Sequence, residues 1–372
     1  MVRSTDRHSR DFDDVLSLDR LDEWLSMSVR TPAVRMVVEG EPIDATRFCS
    51  SVRLGGRVLH DVVDPEKVAR LLADGATVVA QSLHRAIPSV ARFVTDLQRE
   101  LTHPVQANAY LTPPSAGGLA AHADRHDVIV LQIDGEKSWW VDGLGEVRLH
   151  RGDAMYVPLG VRHRAATADT MSLHLTIGVI RVTRRDVVER VLGADLDEPL
   201  PIGYRSASGF EALADAIADT LDDALVAIGA ADVVETAESE QRRRLAPAPM
   251  PGRLRSVVGA DRITDASVIR WTDPDPLARV VDGVDGGGQH WDGRPDENDW
   301  APSTGRVEVR VGGRTLGFPI AALDALRRLG SGAPITVGEL EGLDAPSRRV
   351  LARRLVREGA CVVDRFGADG VG

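Results

Sequence analysis

Hydrophobic and polar positions change rhythm along the chain, and each change predicts a different kind of structure. Residues 1–60 read as mixed structure, with "PAVRMVVEGEPI" a short strand. In "DPEKVARLLADGATVVAQSL", Asp64 can cap a helix, Pro65 suits its first turn and Gly75 can stop it, leaving "ATVVAQSL" as a strand. "PSVARFVTDLQRELTH" places Val90, Phe93, Val94 and Leu97 at helical spacing and predicts an amphipathic helix. From about residue 104 to 180 the texture becomes short β-rich runs: "VQANAYLT", "DVIVLQID", "KSWWVD", "EVRLH", "AMYVP" and "SLHLTIGVI". Evenly spaced strands broken by Gly, Pro and Asp point to a sandwich or barrel.

After Ile180 the pattern turns helical. "RRDVVERVLG" and "GFEALADAIADTLDDALVAIGA" have apolar faces, and Phe210, Leu213, Ile217, Leu221 and Leu225 form a stripe that suits an intrachain core or a dimer seam. The Pro-rich "LAPAPMPGRL" (245–254) reads as a linker. Beyond it come strands, a glycine-rich loop at 282–299, and a helix, turn, helix and terminal strand in the order of a winged-helix-like module. The expected organisation is an α+β chain with a β domain over 1–180, a helical region over 181–245 and a winged-helix-like domain over 246–372.

Totals sharpen this only slightly. A length of 372 residues exceeds one ordinary domain, and 43% hydrophobic residues is ample for a core. No apolar run suits a bilayer crossing, and the charged "MVRSTDRHSRDFDDV" lacks the apolar region of a secretory signal, so a cytoplasmic protein with no membrane partner is expected. Two cysteines, Cys49 and Cys361, suggest no disulfide framework. A net charge of −11 suits a basic protein or peptide partner better than nucleic acid.

The chemistry concentrates in "AHADRHDVIVLQIDGEKSWWV" (121–141). Alternate residues of a strand share a face, so His122 and Asp124 project together while Ala123 points away. An imidazole and a carboxylate on one face offer two ligands of a 2-His-1-carboxylate triad for Fe(II). "RGDAMYVPLGVRHRA" supplies a second histidine, His163, in a Gly/Pro-punctuated turn. His126, His150 and His174 could equally be surface or satisfied core histidines, and Asp127 could simply open a strand. Lys137, after the Gly135 turn, would ordinarily be solvated; facing into a barrel it could pair with the distal carboxylate of 2-oxoglutarate. Asn108 and Tyr110 are same-face polar neighbours.

"QANAYLTPPSAGGLAAHADRHDVIVLQIDGEKSWWV" and "GDAMYVPLGVRHRAATADTMSLHLTIGV" together resemble the JmjC-type, cupin-like ribosomal oxygenases. The resemblance implies a double-stranded β-helix (jelly-roll) core, a helical dimerisation region and a C-terminal winged helix. It implies His122, Asp124 and His163 as iron ligands and Lys137 as the 2-oxoglutarate anchor. Asn108, Tyr110, Ser172 and Thr176 would be further cofactor contacts, with His174 beside them. Ala123 and Glu136 stand where many relatives carry bulkier or basic residues; neither removes a ligand. The implied activity is Fe(II)- and 2-oxoglutarate-dependent hydroxylation of an arginine or histidine, at the β carbon, in a ribosomal protein or precursor peptide, by a homodimer. A cupin of another kind would more often use a His-x-His…Glu…His set. A second alternative is a DNA-binding regulator with a cupin sensor, since residues 306–357 carry ten arginines against five acids.

Overall fold

Alternation within the strands from 105 to 179 builds two apolar layers, one on each face of a sheet. The structure, a computed structural model, describes residues 11–117, 120–192, 251–272, 278–282, 289–290, 305–311 and 314–367, with isolated helical positions between 214 and 237. The chain divides into two units, Met1–Pro249 and Met250–Gly372, and the division falls inside the Pro-rich stretch. The stripe expected over 209–230 lies almost wholly outside the described residues, as does most of the glycine-rich loop.

Among the described residues of the first unit, helices α1 (Leu18–Leu25), α2 (Pro65–Ala73) and α3 (Pro88–Leu101) accompany eleven strands. These are β1 (Val34–Val38), β2 (Glu41–Pro42), β3 (Cys49–Leu54), β4 (Arg57–Val63), β5 (Thr77–Ala80) and β6 (Val105–Thr112). Then come β7 (Asp127–Val141), β8 (Gly145–His150), β9 (Ala154–Val157), β10 (His163–Ala166) and β11 (Ser172–Val179). Helix α4 (Arg184–Leu192) follows. Asp64 caps α2, accepting from the Glu66 and Lys67 amides. The main path of the sheet runs β10-β7-β11-β6-β5-β1-β2, with β8 and β9 also paired to β7, and β3 and β4 form a separate ribbon.

Residues Leu173, Leu175 and Ile177 of β11, Ala107 and Ala109 of β6 and Leu131 and Ile133 of β7 join one core with residues from the three N-terminal helices. The opposite face of β6 and β11 turns Asn108, Tyr110, Thr112, Ser172, His174 and Thr176 the other way, as period-two alternation requires. There a second, smaller core gathers Val128, Val130, Trp139, Val141, Leu149, Met155 and Val157.

The runs "DVIVLQID" and "KSWWVD" read as two strands, yet they are halves of one fifteen-residue strand, β7. Its first half pairs with β11 and β9, and its second with β8 and β10. Gly135 makes the passage possible. Its φ is +63°, and a Cβ there would stand 1.9 Å from the Met171 carbonyl oxygen. The bend therefore demands glycine twice over, through backbone conformation and through space. Beyond it, Lys137, Trp139 and Val141 are buried while the intervening positions are half-buried.

The second unit holds helices α5 (Arg253–Val258), α6 (Leu323–Gly330) and α7 (Ala345–Arg357). One sheet has the order β17 (Ile335–Thr336), β12 (Val268–Trp271), β18 (Cys361–Arg365). A four-stranded antiparallel sheet joins β14 (Gln289–His290), β13 (Ala278–Asp282), β15 (Gly305–Val311) and β16 (Arg314–Pro319) in that order. The arginines of α7 are engaged inside the unit. Arg348 donates to the Leu343 and Gly338 carbonyls, Arg353 to those of Asp261 and Ile263, Arg357 pairs with Asp261 and Arg354 lies over Phe318. Both cysteines are buried, and burial raises the Cys361 thiol pKa far above its usual range.

Gly135→Ala should lower the unfolding free energy by about 2 kcal/mol or more, since strain and collision combine. Gly143→Ala is the control: φ is also positive, but nothing lies within 4 Å of the added methyl. Equal urea midpoints for the two variants would refute the role given to the bend.

Candidate metal centre and anion pocket

Two segments far apart in sequence meet at the mouth of the β core. His122 and His163 exchange backbone hydrogen bonds in both directions, His122 N to His163 O at 3.1 Å and His163 N to His122 O at 2.9 Å. This bridge sets the imidazoles side by side, with ring centroids 4.5 Å apart. The Nδ1 of His122 lies 2.8 Å from the Ala120 carbonyl, and that of His163 lies 3.0 Å from the Val161 carbonyl. A carbonyl only accepts, so each Nδ1 holds a proton, which leaves Nε2 as the atom each ring can offer to a metal. Both Nε2 atoms face the same Asp124 oxygen, at 4.0 Å from His122 and 3.5 Å from His163. Those separations are long for hydrogen bonds, while one ligand atom from each residue lies within 4.8 Å of the others. Two oriented imidazoles and a carboxylate, converging without bonding one another, suit a divalent transition metal.

Deeper in the fold lies Lys137, 2% exposed. Its ammonium donates to Thr112 Oγ1 at 2.8 Å, and Thr77 Oγ1 donates to the same hydroxyl at 3.2 Å. Among the described residues no carboxylate compensates this cation, and burial lowers its pKa to about 7. A buried ammonium without a counter-charge is a position where an incoming anion would be favoured.

His174 stacks on Tyr110, with centroids 4.9 Å apart and planes 5° from parallel, and meets Trp139 edge to face at 5.3 Å. Burial first, and the Lys137 charge second, hold the His174 pKa well below its usual value, so it is neutral. Burial raises the Tyr110 pKa. His174 Nδ1, Trp139 Nε1 and Gln132 Oε1 are buried without a hydrogen-bond partner, which marks this pocket as polar but incompletely satisfied.

The remaining candidates are engaged with the protein. Asn108 Oδ1 accepts from the Ser82 amide at 2.8 Å, Ser172 Oγ accepts from Gln132 Nε2 at 2.9 Å, and Thr176 Oγ1 donates to the Asn108 carbonyl at 3.2 Å. His150 pairs with Glu136 at the surface, at 3.2 Å. Thr112, Gln132 and Trp139 escaped sequence reasoning. Thr112 continues the Asn108–Tyr110 alternation by one step and Trp139 that of Lys137, so both faces were legible; Gln132 lacks a comparable signal.

Residues 82–148 match the JmjC domain family model. A bifunctional lysine-specific demethylase and histidyl-hydroxylase NO66 from Branchiostoma floridae is 40% identical over 113 residues, which cover 29% of this chain and 18% of that protein. Ribosomal oxygenase 1 from Homo sapiens is 34% identical over 183 residues, covering 41% and 28%. The chain thus spans less than a third of the length of the curated relatives it matches. In structure it resembles YcfD, a ribosomal oxygenase from Escherichia coli solved with cobalt and 2-oxoglutarate, with a TM-score of 0.54, 17% identity and coverage of 98% of this chain and 95% of that one. The β core is therefore of the cupin and JmjC kind. Residues 82–148 thus carry the JmjC pattern, and the flanking sequence is similar to that of ribosomal oxygenases.

Lys137 makes stability depend on pH in a calculable direction. Unfolded, a lysine keeps its proton up to about 10.5, whereas the folded residue releases it near 7. Between those values the unfolded state binds more protons, so this residue makes stability rise with pH, and its penalty is fully present below 7. Lys137→Met should therefore raise the unfolding free energy at pH 6 to 7 by a few kcal/mol, at about 1.4 kcal/mol per pKa unit. The difference should vanish towards pH 10. Urea unfolding of metal-free protein across that range checks it, and a pH-independent difference would refute it.

Proposed function

We propose that the chain is an Fe(II)- and 2-oxoglutarate-dependent oxygenase that hydroxylates a protein or peptide side chain. The observation that carries this reading is the pairing of the His122–Asp124–His163 cluster with a buried, acid-free lysine in one β core. Bound Fe(II) with 2-oxoglutarate supplies the chemistry: oxygen and the keto acid become succinate, carbon dioxide and a hydroxyl group in place of a C–H. The three clustered residues would hold the metal through two Nε2 atoms and one carboxylate oxygen. Lys137, held by Thr112, would anchor the distal carboxylate. The Tyr110–His174 stack and Trp139 would wall this end against water. No side chain is required as acid or base, in keeping with the neutral His174.

The target is proposed to be an arginine or histidine, hydroxylated at the β carbon, in a ribosomal protein or a precursor peptide. The net charge of −11 favours encounter with such basic chains. The domain plan is proposed as a catalytic domain over 1–180, a helical region over 181–245 that pairs two copies, and a winged-helix-like domain over 246–372. The order of α6, β17, α7 and β18 supports the last. Among the described residues no helix is long and apolar enough to cross a membrane, and a cytoplasmic location is proposed. The DNA-binding alternative loses force because the arginines of α7 that would meet phosphates already hold backbone carbonyls, Asp261 and Phe318.

Anaerobic addition of Fe(II) and then 2-oxoglutarate should give a weak visible charge-transfer band. His122→Ala should abolish it, and Lys137→Ala should require at least about tenfold more 2-oxoglutarate, as loss of a charge-assisted pair implies. In the wild type, half-saturation should rise as pH is raised above about 7, because neutral Lys137 must first take up a proton to hold a carboxylate. A folded wild type without the band would overturn the oxygenase reading.

A further inference from the structure

We propose that Asp127 is a positioning residue for the metal centre, its carboxylate fixing the turn that carries His163 against the segment that carries His122 and Asp124. This rests on reading that cluster as a metal site. Asp127 opens β7 three residues after Asp124 and is 4% exposed. Its Oδ1 accepts from the Leu159 amide at 3.0 Å, from Tyr156 Oη at 2.9 Å and from Arg181 Nη2 at 2.8 Å, while Arg181 Nε donates to Oδ2. Four pieces of chain thus meet on one carboxylate: the start of β7, β9, the turn after β9 and the segment after β11.

The turn is what makes this arrangement matter to the centre. Leu159 is anchored to Asp127, and the next amide, Gly160 N, donates to the Asp124 carbonyl at 3.0 Å. Val161 N closes the turn on the Pro158 carbonyl at 3.1 Å, and the Val161 carbonyl is the acceptor that orients His163 Nδ1. Residues 158–163 therefore hold one ligand's backbone and set another ligand's ring, and Asp127 is their fixed point. An uncompensated Leu159 amide and a released Arg181 would let the turn shift, spreading the Nε2 of His163 from Asp124. Asp127 is not one of the clustered ligand residues and acts through the turn.

The test uses the full chain and Co(II) as the probe, followed by its visible ligand-field absorption, beside urea unfolding of the metal-free protein. Asp127→Ala should weaken Co(II) binding by about tenfold to a hundredfold, the range usual for groups that orient metal ligands, and should alter the band shape at saturation. Arg181→Gln, at a half-exposed position, should weaken it by about fivefold, and Tyr156→Phe by less than about threefold. If Asp127→Ala does not fold, Arg181→Gln decides alone. A purely structural role would lower the urea midpoint and leave the dissociation constant and band shape of these variants unchanged, and that result would overturn the proposal. Failure of the wild type to bind Co(II) would overturn the metal reading with it, whereas tight wild-type binding with unaffected variants would remove the positioning role only.

Discussion

The reciprocal backbone bridge between His122 and His163 is the contact on which the site depends. Forty residues of chain separate the two, and neither belongs to a regular ladder joining them directly. Two hydrogen bonds bring their Cα atoms into register, after which the rings need only local carbonyls to point their Nε2 atoms inward. Rotational freedom is removed by the backbone before any ion arrives, which is the condition for tight and selective binding. Everything upstream, from the bend at Gly135 to the alternation of β6 and β11, serves to present a polar lining to that bridged pair.

The lining carries a deliberate imbalance. Evolved cores avoid a buried ammonium without a counter-charge, because desolvation is costly. Here the ammonium of Lys137 sits against the Thr112 hydroxyl, itself bonded by Thr77, near a neutral histidine, and burial lowers its pKa. On the function proposed above, the missing negative charge would come with a diffusible molecule, turning a liability of the empty fold into affinity for a carboxylate. The unpartnered atoms of His174, Trp139 and Gln132 repeat the pattern in neutral form.

Much of this was legible in the residues. Period-two alternation placed β6 and β11 and the faces of Asn108, Tyr110, Ser172, His174 and Thr176, because each strand buries one face against helices. His122 and Asp124 announced themselves by their spacing. His163 could be nominated but not joined to them, since its approach depends on a bridge between distant segments that leaves no trace in local pattern. Asn108, Ser172 and Thr176 do lie on the pocket face, where Asn108 Oδ1, Ser172 Oγ and Thr176 Oγ1 each have a protein partner. The single strand β7 was split in two because Gly135 looks like an ordinary turn; only the nearby Met171 carbonyl shows that it is a bend between layers. The arginine-rich α7 left an alternative open for a different reason: a guanidinium that caps backbone carbonyls is indistinguishable in sequence from one that awaits phosphate.

The placement of the two cysteines bears on durability. If the centre activates oxygen as proposed, it can misfire when its target is absent, releasing oxidising species within a few ångströms of its own polypeptide. Thiolates are the first groups such species consume, and their vulnerability tracks exposure and acidity. Cys49 lies in the helix-backed core and Cys361 in the second unit's core, both shielded, and Cys361 is held firmly in its protonated form. A chain so arranged can idle in air without thiol loss being its first mode of ageing.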